Sequence, residues 1–283
     1  MKAHSASSET RSHDNTYGDN PAGGLCFEWP IRRMYASGGY EDQNDLIVSE
    51  RRIELIVNGT PFLALLALPT HIEELTLGLL ISEGIWHARN DLPSVDFDGA
   101  SGIVRCEGRF DSDALESFAH RRTFDAGRSA AHDSFPLSRC HPIVSLVTAP
   151  AARLVELGRS FVERCELFRA TGAVHACAVS RGSSIDLFAE DIGRHNAFDK
   201  VAGMAIRQGI DLAAAVVLTT CRVSAEIAGK AIVHGVPILA SLSAPSALAL
   251  DQARRFDLTV VGFLRDGRMN VYTAYQRILT ENE

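Results

Sequence analysis

The chain has 283 residues, 28 basic and 35 acidic, for a formal net charge of −7 at pH 7. That length suits one large domain or two medium ones with a real core, and 46% hydrophobic with 22% charged residues excludes a wholly disordered or fibrous chain. The acidic balance argues against non-specific coating of nucleic acid or anionic lipid, yet leaves room for a local basic pocket.

Six cysteines, at 26, 106, 140, 165, 177 and 221, are too sparse for a disulfide scaffold, and no two are spaced as CxxC. They read as thiols of a reducing compartment, mostly buried as small hydrophobes. Apolar runs stop well short of the about 20 residues of a membrane span, and the N-terminus lacks the apolar core of a secretory signal. A cytoplasmic location is expected, with neither nucleic acid nor membrane as partner.

Residues 1–25 are rich in Ser, His, Asp, Asn and Gly and bury too little to offset their ordering entropy, so they read as a flexible tail. Residues 26–140 read as a smaller α+β domain. Alternation predicts a strand over 51–57, Asn58-Gly59 a hairpin turn, and 61–68 the returning strand. Thr70 with Glu73 suggests a capping box, Leu75, Leu79, Leu80 and Ile81 a helical stripe, and Gly84 its stop. Further strands are predicted over 95–98 and 103–107, and a short helix over 113–120. Residues 121–139 are polar and aperiodic and read as a long functional loop.

Residues 141–283 read as an α/β domain. A helix is predicted over 150–168, and short apolar strands over 174–179 and 185–189 around Arg181-Gly182. Helices over 194–208, 223–234 and 245–255 then alternate with strands over 214–218, 236–239 and 258–261. The alternation implies a mainly parallel sheet covered on both faces. After Asp266-Gly267, residues 269–273 are expected to add an antiparallel edge strand.

Ligands of open α/β sheets bind beyond the carboxyl ends of the strands. The segments placed there hold Glu190 to Asn196, Thr219 to Arg222, Ser241 to Ser246 and Gly262 to Arg268. Arg194, His195, Arg222, Arg265 and Arg268 would line one edge. Three of these segments lead into helix N-termini, which favour anions, and arginine suits phosphate. Two readings fit: a pocket for a phosphate-bearing ligand, or ordinary caps and surface ion pairs. There is no phosphate loop, no GxGxxG turn and no zinc-deaminase HxE with PCxxC. His175 and Cys177 share a strand face and read as core or pocket wall rather than metal ligands. Asp186, Glu190 and Asp191 are candidate general acids or bases, although one or two of them are expected instead to pair with nearby arginines or hold helix ends, and His195 is expected to pair with Asp199.

Several runs together resemble the formate dehydrogenase accessory sulfurtransferase family, FdhD. They are Thr171-Gly172-Ala173-Val174-His175, Glu190-Asp191-Ile192-Gly193-Arg194-His195-Asn196-Ala197 with Asp199-Lys200, and Val261-Gly262-Phe263 with Asn270-Val271-Tyr272. Val57-Asn58-Gly59, Pro69-Thr70, Glu74-Leu75 and the stretch from Gly78 to Ile85 agree, so the likeness covers roughly residues 45–275.

The resemblance implies a cytidine-deaminase-like, three-layer C-terminal domain without its zinc site, with no metal held directly by the protein, and a homodimer. It implies an accessory protein for formate dehydrogenase maturation. Such a protein takes sulfur from a cysteine desulfurase as a persulfide. It passes the sulfur to the bis-molybdopterin guanine dinucleotide cofactor, bound as cargo, for an apo formate dehydrogenase. The family's cofactor-binding segment falls on Phe263, Leu264, Arg265, Asp266, Gly267 and Arg268, on the same edge as Arg194, His195 and Arg222.

The chain departs from the family at its Ser-Cys-Gly-x-Cys-Gly loop. Beyond Arg122-Thr123-Phe124, Ala130 and Asp133 stand where the two cysteines belong. Sulfur relay needs an accessible thiolate, so no catalytic residue is assigned. Three roles follow: a carrier using another thiol, for which Cys140 is the candidate, because Arg139 and His141 on either side are expected to lower its pKa; a cofactor-binding chaperone without sulfur transfer; or a regulator that pairs with a cysteine-bearing relative.

Overall fold

The computed structural model describes residues 24–87, 91–116, 118 and 136–280. The expected tail, up to residue 23, lies outside the described residues, and so does the expected loop as far as residue 135, including Ala130 and Asp133.

The described chain begins with an antiparallel ribbon that the sequence did not announce, β1 (Cys26–Met34) with β2 (Tyr40–Val48). Trp29, Met34, Tyr35 and Tyr40 are exposed on it, so neither face carries the alternation that marks a half-buried strand. Arg32 holds the two strands together, bonded to Asp42 at 2.7 Å and lying 4.0 Å from the centre of the Tyr40 ring.

The next hairpin forms as read, with β3 (Arg51–Val57) and β4 (Thr60–Ala67) joined by Asn58 and Gly59, both at positive φ. With β5 (Ser94–Asp98) and β6 (Ile103–Glu107) they form a sheet of order β4-β3-β6-β5. Nine of the eleven residues of α1 (Ile72–Ser82) are buried. A helix buried all round must be covered on two sides, and α1 is a middle layer rather than a surface stripe. Its C-terminus closes at Gly84, with φ of +69°. The expected capping box does not form. His71 is the N-cap, and the Thr70 hydroxyl accepts a hydrogen bond from the buried Lys200 ammonium at 3.2 Å.

The rest of the chain builds a six-stranded sheet. Its members are β8 (His175–Ser180), β9 (Leu187–Asp191), β10 (Val216–Thr219), β11 (Ile238–Ser241), β12 (Thr259–Arg265) and β13 (Arg268–Val271). They lie in the order β13-β12-β11-β10-β8-β9. The expectation of a mainly parallel sheet is corrected. Only β10–β11 and β11–β12 pair in parallel; β8 runs antiparallel to both neighbours, and β13 to β12. The physical reason is connection length. A parallel pair needs a crossover of a dozen or more residues, and the link from β8 to β9 is too short for one.

Helices cover both faces. Alternate residues such as Cys177, Val217, Leu239 and Val260 pack with α4 (Arg194–Arg207), α5 (Ala225–Val233) and α6 (Ala247–Arg255). Their neighbours Ala178, Leu218, Ala240 and Val261 pack against α2 (Ala151–Arg164). The helix read over 150–168 is two helices. It breaks at Cys165, and α3 (Glu166–Thr171) follows. The Glu190 carboxylate accepts the α3 backbone N–H groups of Leu167 and Phe168 at 3.2 and 3.0 Å, which fixes the new axis. A short parallel pair, β7 (Ala149–Pro150) with β14 (Ile278–Leu279), closes the fold.

Candidate functional site

Strands β9, β10, β11 and β12 all point one way, and β8 starts where they end. The carboxyl ends of four strands and His175 of β8 therefore share one edge, as the sequence reading placed them. The loops of this edge are tied to one another. Thr220 N–H donates to Ala176 O and the Thr220 hydroxyl accepts from Ala176 N–H, the Ser241 hydroxyl donates to Cys221 O at 2.6 Å, and Phe263 N–H donates to Ser243 O at 3.0 Å.

One half of the edge is a cationic cluster at two helix N-termini. Arg194 and His195 open α4 behind Gly193, which offers no side-chain cap; α5 is capped by Ser224, whose hydroxyl accepts from Ile227 N. Glu226, in the first turn of α5, contacts both side chains: its Oε2 is 3.4 Å from Arg194 Nη2 and 3.2 Å from His195 Nε2. The bond to His195, then those to Arg194, hold the Glu226 carboxyl down at about 2. Arg222 is exposed beside this cluster. His175 is pushed below its usual value by burial first, then by Arg194, Arg222 and His195. The expected pairing of His195 with Asp199 is corrected. Asp199 is buried and takes both a Lys230 ion pair at 2.7 Å and the Ser82 hydroxyl at 2.7 Å.

The other half is the β12–β13 hairpin. Phe263 has φ of +52° at an irregularity between Gly262 and Arg265, and Asp266 and Gly267, both at positive φ, make the turn. A Cβ at Gly262 would stand 2.9 Å from Ser243 O, so glycine is what lets the strand lie against the neighbouring loop. Arg265, Asp266, Gly267 and Arg268 are exposed, and the Arg265 guanidinium lies 5.6 Å from the centre of the Phe263 ring. Leu264 faces the other way, buried in the core over Gly158. The edge thus brings Arg194, His195 and Arg222 together and carries Phe263, Arg265 and Arg268 on a separate hairpin. Glu226 was missed. A carboxylate in a helix first turn is accounted for by the helix dipole alone, so nothing flagged it.

Much of the EDIGRHNAxDK run serves packing. The Asp191 carboxylate is fully buried, paired with Lys200 at 2.7 Å, and accepts Gly193 N–H, Asn196 Nδ2 and Leu68 N–H. Lys200 also donates to Leu68 O, and Asn196 to Leu66 O. These bonds fasten the end of β4 to the start of α4. Asp186 pairs with Arg181 and Glu190 holds a helix end, as read.

Cys140 stands elsewhere. It lines a crevice of about 880 Å³ with Arg139, His141, His87 and His234, beside the segments that precede β10 and β11. That is the opposite edge of the sheet. Burial pushes the Cys140 thiol up, and Arg139 is bonded to Asp111 at 2.8 Å. The expected lowering by neighbouring cations is therefore corrected. Cys106, Cys165, Cys177 and Cys221 are buried. Among the described residues no His, Cys, Asp or Glu gather in threes as metal ligands, and no helix is long and apolar enough to cross a membrane.

Comparison with known proteins bears on all of this. A structure described as a formate dehydrogenase accessory protein from Desulfotalea psychrophila shares the fold, with a TM-score of 0.77 at 23% identity, over 90% of this chain and 100% of that one. A sulfur carrier protein FdhD of Geobacillus kaustophilus is 33% identical over 253 residues, 88% of this chain and 96% of the relative. Its counterpart in Staphylococcus haemolyticus is 31% identical over 249 residues, 86% of this chain and 94% of the relative. The model of the FdhD/NarQ family matches residues 48–279. From the β3–β4 hairpin through the buried Asp191–Lys200 clamp to the last strand, the described fold lies almost wholly within that match, and the chain belongs to the FdhD/NarQ family.

Proposed function

We propose that this protein serves formate dehydrogenase maturation by binding the bis-molybdopterin guanine dinucleotide cofactor as cargo at the strand-end edge. The observation that carries this reading is the basic edge itself, on an acidic chain, within a family whose relatives are named sulfur carriers. The diphosphates of the cargo suit Arg194, His195 and Arg222, and the Phe263-to-Arg268 hairpin supplies an aromatic ring with two exposed guanidinium groups. The order β9-β8-β10-β11-β12 supports a cytidine-deaminase-like arrangement of the C-terminal domain. A cytoplasmic homodimer that meets a cysteine desulfurase and an apo formate dehydrogenase completes the proposal. Calorimetry with guanosine diphosphate tests it: Arg265→Ala with Arg268→Ala is expected to weaken binding about tenfold or more. Unchanged affinity would remove the hairpin from the site.

A second reading is favoured by the place and chemistry of Cys140. Its thiol is raised by burial, and it sits across the sheet from the basic edge. Strand β10 has four residues, so about 13 Å of strand separates the two. This supports a cofactor chaperone that carries no sulfur. Intact-protein mass spectrometry after incubation with a cysteine desulfurase and cysteine separates the readings. A reducible gain of one sulfur means a carrier; no gain, beside a loading relative, means a chaperone.

A further inference from the structure

Glu226 and Arg194 form an incomplete contact that points to a ligand. A guanidinium presents Nε and one Nη side by side, a fork that matches two oxygens of a phosphate or carboxylate. Glu226 reaches one tine only, with Oε2 at 3.4 Å from Arg194 Nη2. The same oxygen lies closer to His195 Nε2, at 3.2 Å. Arg194 Nε is buried and has no hydrogen-bond partner. A buried donor left unpaired is costly, and Glu226, already shared with His195, does not satisfy it. Arg194 is otherwise well placed for an anion: it stands in the first turn of a 14-residue helix with no side-chain cap, on the same strand-end edge as Arg222 and His195.

We infer that Glu226 is a placeholder: it occupies half of the Arg194 fork until a pyrophosphate group takes both tines, and then withdraws onto His195. This rests on the strand-end edge being the cargo site, and it adds how that site is kept closed. It makes Glu226 a competitor of the ligand rather than a support for it, so shortening or neutralising Glu226 should tighten binding.

Calorimetry on the full chain with inorganic pyrophosphate decides. Glu226→Gln and Glu226→Asp are each expected to bind pyrophosphate several-fold to about tenfold more tightly than the parent. The aspartate variant matters most. It keeps the negative charge and pulls the carboxylate back by one methylene, so a gain there reports release of the fork and not a change of net charge. Arg194→Lys is expected to lose about tenfold, because an ammonium offers no fork. If Glu226→Asp binds pyrophosphate equally or more weakly, or no variant binds it, the placeholder is overturned. The wider reading fails differently. Should Arg265→Ala with Arg268→Ala leave guanosine diphosphate affinity unchanged while Glu226→Asp still tightens pyrophosphate, the hairpin leaves the site and the placeholder stands.

Discussion

At the scale of single residues, chemistry and packing compete for the same polar side chains. The acidic and basic residues of the EDIGRHNAxDK run were legible as a motif, but their division of labour was not. Arg194 and His195 face the edge, whereas Asp191 and Lys200 are fully buried as a pair. Sequence spacing cannot say which of two neighbouring charges finds its partner 130 residues away, as Lys200 does at Thr70. Breaking a buried pair leaves an uncompensated charge. Lys200→Met is therefore expected to lose about 3–5 kcal/mol in urea unfolding, and adding Asp191→Asn should recover part of it. Cys140 gives a second expectation. Its thiol is raised by burial and reacts through the thiolate. Iodoacetamide at pH 7 should modify it more slowly than a small free thiol, as peptide mass spectrometry over time would show; rapid labelling would contradict the burial.

At the scale of elements, patterns with one buried face were readable and patterns without one were not. The β3–β4 hairpin and the β12–β13 turn followed from Asn58-Gly59 and Asp266-Gly267. The β1–β2 ribbon, exposed on both faces, left no periodic trace. Helix α1 was seen as a stripe, although its burial on all sides sets the architecture. It crosses α4 with glycines in register. A Cβ on Gly78 would stand 2.0 Å from Asp199 O, and one on Gly203 would stand 1.8 Å from Glu74 O. Each glycine thus receives the backbone of the opposite helix, and the reciprocal spacing makes the two helices antiparallel. Glu73 and Glu74 extend the seam to Arg207, at 2.7 Å each. Overpacking a close contact costs about 1–3 kcal/mol and sometimes more. Gly78→Ala and Gly203→Ala should each lose at least about 3 kcal/mol by thermal or urea unfolding. Gly182→Ala, where nothing lies within 4 Å, should stay within about 0.5 kcal/mol.

At the scale of the whole molecule, three histidines make stability depend on pH in one direction. His71, His175 and His234 are all held below their usual value, first by burial, with His234 down at about 3. Below about pH 6.5 the unfolded chain binds protons that the folded chain refuses, so stability falls as pH falls, for His234 until about pH 3. The unfolding free energy from urea titrations should drop between pH 7 and pH 5, by up to about 1.4 kcal/mol per pH unit from His234 alone. His234→Asn should flatten that slope; an unchanged slope would mean that His234 is hydrated. The family was legible from the whole chain because its runs are long and dispersed. The sheet's mixed direction was hidden because helix–strand alternation suggests parallel pairing, and only the short β8–β9 link argued otherwise. The ribbon at the start of the described chain is joined to no other sheet. Its two strands pair only with each other, and Ser49 N–H to Leu25 O closes its base. A two-stranded pairing alone is marginal in water, so amide protons of residues 26–48 should exchange through openings that leave the rest of the molecule folded. Helix α3 already touches its second strand, so their exchange rates gauge contact, slowing further when another surface comes to lie against the ribbon.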